Sequence, residues 1–383
     1  MKISQTKDIR SANRLTIIKH ILNKKQISRA RISEETGLNE ATVSTIVKEW
    51  MSLKLVEETT MGDSSGGRRP IILTLDGKAG YCIAIDIGAR RLGLILTDLN
   101  NEIISRQSIP ISRQAFSHVY QQIYLAIDKL IRDIPPCPYG LIGISLAVRG
   151  IIDLDGVIRF IPKLQWHNID IKSLLEQRYH VPVYIDNDGN LAASMESRLH
   201  PQYEELTVLC ITDVISCGMI SNGQLIRGYL GFANAVGHHT INIQETKQCS
   251  CGKFGCWEQY CSDQYLIDEM NLHLETPLED IDEFIELVRK QNPTALGILD
   301  TYIRNLAIGL SNIIFFVNCE MIILNSHLIQ SLPYLMPEIM KDIVLPITHT
   351  QEILISTLGN EAPILGASLK AIEEFFEILS AHG

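Results

Sequence analysis

Apolar and polar positions alternate with helical spacing over the first fifty residues of the chain. Ser28 stands where the N-cap of a second helix is expected, and Gly37 is a residue type that commonly ends helices. Asn39 is the corresponding N-cap candidate for a third helix. A first helix is predicted over about residues 13–23 by four apolar positions three or four residues apart: Leu15, Ile18, Ile21 and Leu22.

The third predicted helix has one apolar face and one small, polar face. Its apolar stripe is expected to pack on the first two helices, and it consists of Val43, Ile46, Val47, Trp50 and Leu53. Short hydroxyl side chains and a lysine suit a helix that enters the major groove of DNA. The sequence therefore predicts a helix-turn-helix whose DNA-contacting residues are Ala41, Thr42, Ser44, Thr45 and Lys48.

Two strand-like runs follow, over residues 55–60 and 71–75, around a glycine-rich segment. They predict a wing, a β-hairpin whose tip carries Arg68 and Arg69. Arginines on such a tip are suited to a narrow minor groove. The alternatives are a small helical bundle with a packing role and, for the glycine-arginine segment, a linker between domains.

Charge is distributed unevenly along the chain, whose formal net charge is -10. Residues 1–75 contain 13 basic and 8 acidic residues, a balance of +5, whereas the remainder carries -15. A basic segment on an acidic body favours a polyanionic partner for the first segment. Nine cysteines without a secretory signal or a membrane-length apolar segment indicate a cytoplasmic protein with no membrane association.

From Gly80 onwards the pattern changes to strands that alternate with helices. Short apolar runs, hairpin turns and amphipathic stretches occur in two successive halves. This order predicts an α/β protein with two similar lobes and a cleft between them.

The segment at residues 237–258, GHHTINIQETKQCSCGKFGCWE, carries the most specific pattern of the chain. It resembles the signature of the ROK family, in particular its long repressor branch. The resemblance implies a two-lobed, ribonuclease-H-like (actin/hexokinase-type) α/β fold behind the winged helix-turn-helix, usually as a homodimer or homotetramer. We expect a DNA-binding domain at 1–76, a first lobe at 77–195 and a second lobe at 196–383, with the last helix a candidate to return to the first lobe.

One imidazole and three thiols within this segment form a candidate metal site. His238, Cys249, Cys251 and Cys256 supply the four ligands of a closed tetrahedral site. Thiolates with one nitrogen select Zn²⁺, and four protein ligands leave no position for a catalytic water. We therefore expect a structural zinc ion. The alternative is a set of unrelated buried thiols beside a surface histidine.

The ROK resemblance also implies a kinase-like site, which departs from the kinase pattern here. Asp188 occupies the position of the catalytic base. The first phosphate turn, Ala89-Arg90-Arg91, lacks the Gly-Thr of a kinase, and Asp213 places a negative charge in the second phosphate turn. Asn325-Ser326 replaces the Gly-Gly near the adenosine. We expect Asp188 to be vestigial and the protein to lack enzymatic activity, with sugar kinase activity as the alternative.

By the same resemblance, a sugar or sugar derivative would bind to Asn187, Asp188, His238 and Glu258. Ala235 stands where sugar-binding members carry a glutamate. Lys163 replaces an asparagine and favours an acidic or phosphorylated ligand. A pocket that has lost its ligand remains the alternative.

Three functions are compatible with these patterns. The first is a sugar-responsive repressor of carbohydrate-utilisation genes that binds operator DNA. The second is a sugar kinase. The third is a DNA-binding protein that a regulatory protein partner controls without a sugar. The basic N-terminal domain favours the first and third over the second, and the sequence does not separate those two.

Overall fold

The computed structural model describes residues 2–60, 71–343 and 352–382, with side chains from Asp8 onwards. The N-terminal domain, called the head below, consists of three helices and a three-stranded sheet of order β1-β3-β2. Its elements are α1 (Lys2–Lys24), β1 (Ile27–Ser28), α2 (Arg29–Thr36), α3 (Glu40–Ser52), β2 (Val56–Thr60) and β3 (Ile71–Leu75).

The helix ends of the head follow the predicted capping residues. The Ser28 side chain accepts a hydrogen bond from the Arg31 N–H at the start of α2, and Asn39 does the same for Thr42 in α3. Gly37 ends α2 with a φ of 71°, a left-handed conformation that favours glycine. The predicted caps and the turn between the two helices are confirmed.

The first helix is longer than predicted, because it begins at Lys2 rather than near residue 13. Residues 2–12 carry no apolar stripe, so hydrophobic spacing gives no signal for them. Polar contacts to α3 accompany this extension instead. Arg10 donates to the Glu49 carboxylate at 2.5 Å, across the two helices.

The predicted hairpin after α3 is present. Strands β2 and β3 pair antiparallel from Val56 opposite Leu75 to Thr60 opposite Ile71. Strand β1 pairs with the other edge of β3. The predicted tip residues Arg68 and Arg69 lie outside the described residues.

The first lobe is built on a five-stranded sheet of order β11-β7-β4-β5-β6. Strands β4, β7 and β11 are parallel, so their carboxyl ends lie at one edge. The elements are β4 (Tyr81–Ile87), β5 (Arg91–Asp98), β6 (Ile103–Pro110), α4 (Phe116–Arg132), β7 (Leu141–Val148), β8 (Ile151–Ile152), β9 (Ile158–Ile161), β10 (Trp166–Ile169), α5 (Ile171–Tyr179), β11 (Val183–Asn187) and α6 (Asp188–Leu199).

The second lobe repeats this plan with a five-stranded sheet of order β14-β13-β12-β15-β16. Its helices form the largest apolar core, around Trp257, Phe284 and Tyr302. The elements are β12 (Leu206–Ile211), β13 (Ile215–Ser221), β14 (Gln224–Leu225), α7 (Glu258–Cys261), α8 (Asp263–Asn271), α9 (Ile281–Arg289), α10 (Pro293–Val317), β15 (Met321–Ser326), α11 (His327–Ser331), α12 (Met336–Asp342), β16 (Glu352–Ile355) and α13 (Ala362–Ala381).

The last helix, α13, packs against the first lobe. It lies on β4 and β7 and contacts α6 along its length. Ile364 and Ala367 of α13 share an apolar cluster with Leu191 of α6 and with Ala84 and Ala147 of the first sheet. The predicted two-lobed α/β fold behind a winged helix-turn-helix is confirmed.

The head and the first lobe share one apolar core. Trp50 of α3 contacts the ring of Phe376 of α13 edge-on, with the ring centroids 6.0 Å apart. The Arg14 guanidinium lies over the Trp50 ring and donates to the backbone oxygen of Leu379. Among the described residues, no helix combines the length and apolarity needed to cross a bilayer.

Candidate functional site

The outward face of α3 is the candidate nucleic-acid surface. Its apolar stripe is buried as predicted, with Val43, Val47 and Trp50 fully inaccessible to solvent. The predicted contact residues Ala41, Thr45 and Lys48 are exposed, whereas Thr42 and Ser44 are half-buried. The Thr45 hydroxyl donates to the Ala41 carbonyl within the helix.

This face borders a groove of about 530 Å³ between α1 and α3. Ala41, Thr42 and Thr45 line the groove from α3, and Ile9 and Arg10 line it from α1. The long first helix therefore forms one wall beside the predicted recognition residues. Nothing in the sequence pattern indicated this wall.

The four candidate metal ligands lie together, since their ligand atoms are all within 4.8 Å of one another. The Cys251 and Cys256 sulfurs are 3.6 Å apart, and the Cys249 sulfur is 3.7 Å from Nδ1 of His238. Zinc bonds of about 2.3 Å to sulfur and 2.0–2.1 Å to nitrogen produce ligand separations of roughly 3.5–3.8 Å in a tetrahedron. The cluster fits a tetrahedral metal ion.

Local backbone geometry brings these ligands together. Gly252 and Gly255 adopt φ values of 89° and 69°, so the loop doubles back between the cysteines. A Cβ at Gly255 would lie 1.7 Å from the Asn242 carbonyl oxygen, which leaves room only for glycine. His238 joins from a one-turn 3₁₀ helix before the loop.

A small cavity of about 90 Å³ lies beside the metal cluster and contains most of the predicted ligand residues. Asn187, His238 and Glu258 line it, together with Ala235 and the candidate metal ligand Cys251. His238 thus belongs to both sites, with Nδ1 toward the thiols.

Among the described residues, Lys163 and Asp188 are the two predicted ligand residues that do not line this cavity. The positive charge of Lys163 nevertheless acts on Glu258: burial raises the pKa of this carboxyl to about 7, against the opposing effect of Lys163. Asp188 is buried next to Ser216, whose hydroxyl donates to Asp188 Oδ2 at 2.8 Å. Burial raises the pKa of Asp188 to about 6.

Arg149 is a charged residue of this region that the sequence analysis missed. It directly follows β7 and lines the small cavity, and 12% of its side chain is exposed. Its Nη2 donates to Asp86 at 3.0 Å, and its Nε lies 3.8 Å from both Asp188 and Asp213. A sequence signal for Arg149 did exist: it follows a strand that is apolar except for Ser145, and ligands of open α/β sheets bind at the carboxyl ends of parallel strands.

The guanidinium of Arg149 lies over the first phosphate turn of the kinase pattern. A Cβ at Gly88 would be 2.6 Å from its Nη1. Arg149 also lines a second, larger cavity of about 500 Å³, where Ala89, Arg90 and Asp213 stand. Arg90 there donates to the Glu279 carbonyl and to Gln264 of the second lobe. Arg149 therefore lies between the two cavities.

Comparison with known proteins shows which family and which relatives the chain resembles in sequence. Residues 82–374 match the model of the ROK family. The chain is 36% identical over 385 residues to the xylose repressor of Bacillus spizizenii, with 99% of this chain and 100% of the relative covered. It is 24% identical to the DNA-binding transcriptional dual regulator NagC of Escherichia coli, over 82% of this chain and 80% of that one.

Solved structures show the same fold. A ROK family transcriptional regulator, a homologue of the E. coli MLC protein, superposes with a TM-score of 0.79 at 22% identity and covers 97% of this chain and 99% of its own. A ROK family glucokinase from Streptomyces griseus reaches 0.68 at 21% identity, over 76% of this chain and 98% of its own. On the family match and the full-length similarity, the chain belongs to the ROK family.

Proposed function

We propose that this protein is a sequence-specific DNA-binding transcriptional regulator, a repressor of carbohydrate-utilisation genes whose kinase-like body senses a sugar. The observation that carries the proposal is the head. The third helix of the head is capped and has one exposed face. The similarity to a xylose repressor extends along 99% of the chain and so includes the head. The glucokinase structure aligns with 76% of this chain, so about a quarter of this chain has no counterpart in it.

In the proposed complex, α3 enters the major groove and presents Thr45 and Lys48, with Ala41, Thr42 and Ser44 at its flanks. The wing arginines Arg68 and Arg69 reach the flanking minor groove. A homodimer or homotetramer presents two heads to a palindromic operator, with half-site centres about 10.5 base pairs apart or a multiple of that.

The test is selection of bound duplexes from a random pool with the full-length protein. We expect a two-fold symmetric sequence that binds more weakly when D-xylose is added. A selected duplex that no sugar releases would favour control by a protein partner. Failure to enrich any sequence would contradict the proposal.

Lys48→Ala is expected to weaken binding to all duplexes and to reduce the slope of log affinity against log salt by about one unit, because a phosphate contact releases a counterion. Lys24→Ala is the matched control, since Lys24 is an exposed lysine at the end of α1. Equal slopes for Lys48→Ala and wild type would remove Lys48 from the interface. Thr45→Val is expected to change the preferred sequence rather than the slope.

We further propose that His238, Cys249, Cys251 and Cys256 bind one structural Zn²⁺. Three sulfurs and one nitrogen within 4.8 Å of one another support this ion, and it would tie the loop to the wall of the sugar cavity. Elemental analysis of protein purified without chelators should give about one zinc per chain. Cys251→Ser should lose it, whereas Cys137→Ser, a half-buried free thiol elsewhere, should retain it. Metal-free wild type would contradict this site.

The same proposal excludes phosphoryl transfer as the function. Backbone amides must cradle the phosphates of a nucleotide. Here the Arg149 guanidinium lies over Gly88, and Asp213 brings a negative charge to the second turn. The sugar then binds at Asn187, Asp188, His238 and Glu258 as a signal, and Asp188 acts as a hydrogen-bonding group.

A further inference from the structure

The unpaired polar atoms around Asp188 call for a partner. Oδ1 of Asp188 and Nε of Arg149 are both buried and lack a hydrogen bond to any described residue. Asp188 as a whole is 1% exposed. A buried donor or acceptor without a partner costs about 1–3 kcal/mol, and more when it is charged. Such a cost is removed when a ligand supplies the missing bonds.

The surroundings determine which ligand group fits. Arg149 Nε is 3.8 Å from the Asp188 carboxylate, too far for a direct hydrogen bond. Arg149 and Ser216, which flank Asp188, both line the small cavity beside His238. A hydroxyl group is the one common sugar substituent that accepts from a guanidinium and donates to a carboxylate at the same time.

We infer that Arg149 is a specificity-determining residue of the sugar site: its Nε–H donates to the ligand hydroxyl that itself donates to Asp188 Oδ1. This inference rests on the proposed sugar-sensing function, and it adds a residue and a defined pairing to that site.

The rest of the Arg149 side chain holds the guanidinium in place. Nη2 is fixed by Asp86 at the end of β4, and Asp213 of the second lobe lies 3.8 Å from Nε. The guanidinium is therefore held by the first lobe and faces a carboxylate of the second lobe.

The experiment measures sugar affinity by calorimetry with the full-length protein and D-xylose as the probe. Arg149→Met, which keeps the length of the side chain without donors, is expected to weaken binding about tenfold or more. Arg159→Met is the matched control, because Arg159 is an exposed arginine of the same lobe that pairs with Asp153. It should change the affinity less than twofold.

The decisive measurement compares the affinities of the wild type and of Arg149→Met for D-xylose and for 2-, 3- and 4-deoxy-D-xylose. In the wild type, one of the three should bind at least about tenfold more weakly than D-xylose, because it leaves the two buried atoms unpaired. In Arg149→Met that difference should shrink, since the arginine partner is already absent. A purely structural role for Arg149 would weaken all four sugars equally and would overturn the inference.

Two further outcomes distinguish a failure of this inference from a failure of the proposed sugar-sensing function. If the wild type and Arg149→Met bind D-xylose with equal affinity, the role of Arg149 is overturned. The sugar-sensing function is unaffected by that result. Wild type that binds neither D-xylose, D-glucose nor N-acetyl-D-glucosamine overturns both. If Arg149→Met does not fold, as judged by circular dichroism, Arg149→Lys serves in its place, because it keeps the charge near Asp86 and lacks the Nε donor.

Discussion

Buried carboxyl groups concentrate where the two lobes meet. Asp263 begins α8 and lines the larger cavity, and its Oδ1 has no partner among the described residues. Burial, together with the nearby Asp213 and Asp282, raises its pKa to about 8 against the opposing effect of Arg149. At neutral pH this carboxyl therefore holds its proton in the folded protein.

Asp263→Asn is expected to stabilise the protein more at pH 8 than at pH 5. Since the folded pKa lies above the unfolded value near 4, the unfolded chain releases a proton that the folded chain keeps. The free energy of unfolding consequently falls as pH rises from about 4 to 8. Asparagine removes this dependence. Relative to the wild type, Asp263→Asn should raise the thermal midpoint by about 2 °C or more at pH 8 beyond any increase at pH 5.

The control for this pH effect is Asp268→Asn, which removes an exposed carboxyl of the same helix. Its effect on the midpoint should be the same at both pH values. An equal gain for Asp263→Asn at pH 5 and pH 8 would show that Asp263 is ionised in the folded state.

At the scale of elements, two helices pack closely enough to exclude a methyl group. A Cβ at Gly366 of α13 would lie 2.0 Å from the carbonyl oxygen of Leu191 in α6. Since α6 begins at Asp188 and α13 contacts Trp50 of the head through Phe376, this contact lies between the proposed sugar site and the head.

Gly366→Ala is expected to destabilise the protein by about 1–3 kcal/mol, because backbone on both sides must separate to admit the methyl group. Gly297→Ala is the matched control at an exposed position in the second turn of α10, where nothing lies within 4 Å of the new Cβ. It should stabilise the helix by about 0.5–1 kcal/mol. Thermal unfolding of both variants measures the difference, and two changes of the same sign would contradict the close contact.

At the scale of the whole molecule, the head is part of the body's packing. Ile17, Ile21 and Trp50 of the head share one apolar cluster with Ile142 and Ile372 of the body. Arg198, at the end of α6, donates to the Leu22 carbonyl of α1. Both α6 and α13 therefore contact the helices of the head directly.

The whole molecule is also expected to release no ADP from ATP and Mg²⁺ with D-xylose or D-glucose. The charge pattern between the lobes opposes phosphate binding, because Arg149 is already paired with Asp86 and Asp213 faces the same space. A coupled assay at high protein concentration should match the rate without protein. Sugar-dependent ADP release that Asp188→Asn abolishes would instead establish kinase activity.

Local sequence determined the helix ends, the wing strands and the candidate metal ligands. A cap such as Asn39 and a turn glycine such as Gly37 act on their nearest neighbours, and the spacing of Cys249, Cys251 and Cys256 lies within one loop. Such features depend on a few residues of backbone, so the pattern contains them. The stripe around Trp50 likewise indicated which face of α3 is buried, although not that Phe376 would contact it.

Tertiary structure alone decided what lies between the lobes. Asp86, Arg149, Asp188 and Asp213 come from four separate elements, and no spacing in the chain relates them. Their pairing depends on the parallel order of β4, β7 and β11 and on the contact of the second lobe. Because burial raises the pKa of Asp86 and Asp188 and leaves specific atoms without partners, the proposed hydroxyl-binding position emerges only once the chain is folded.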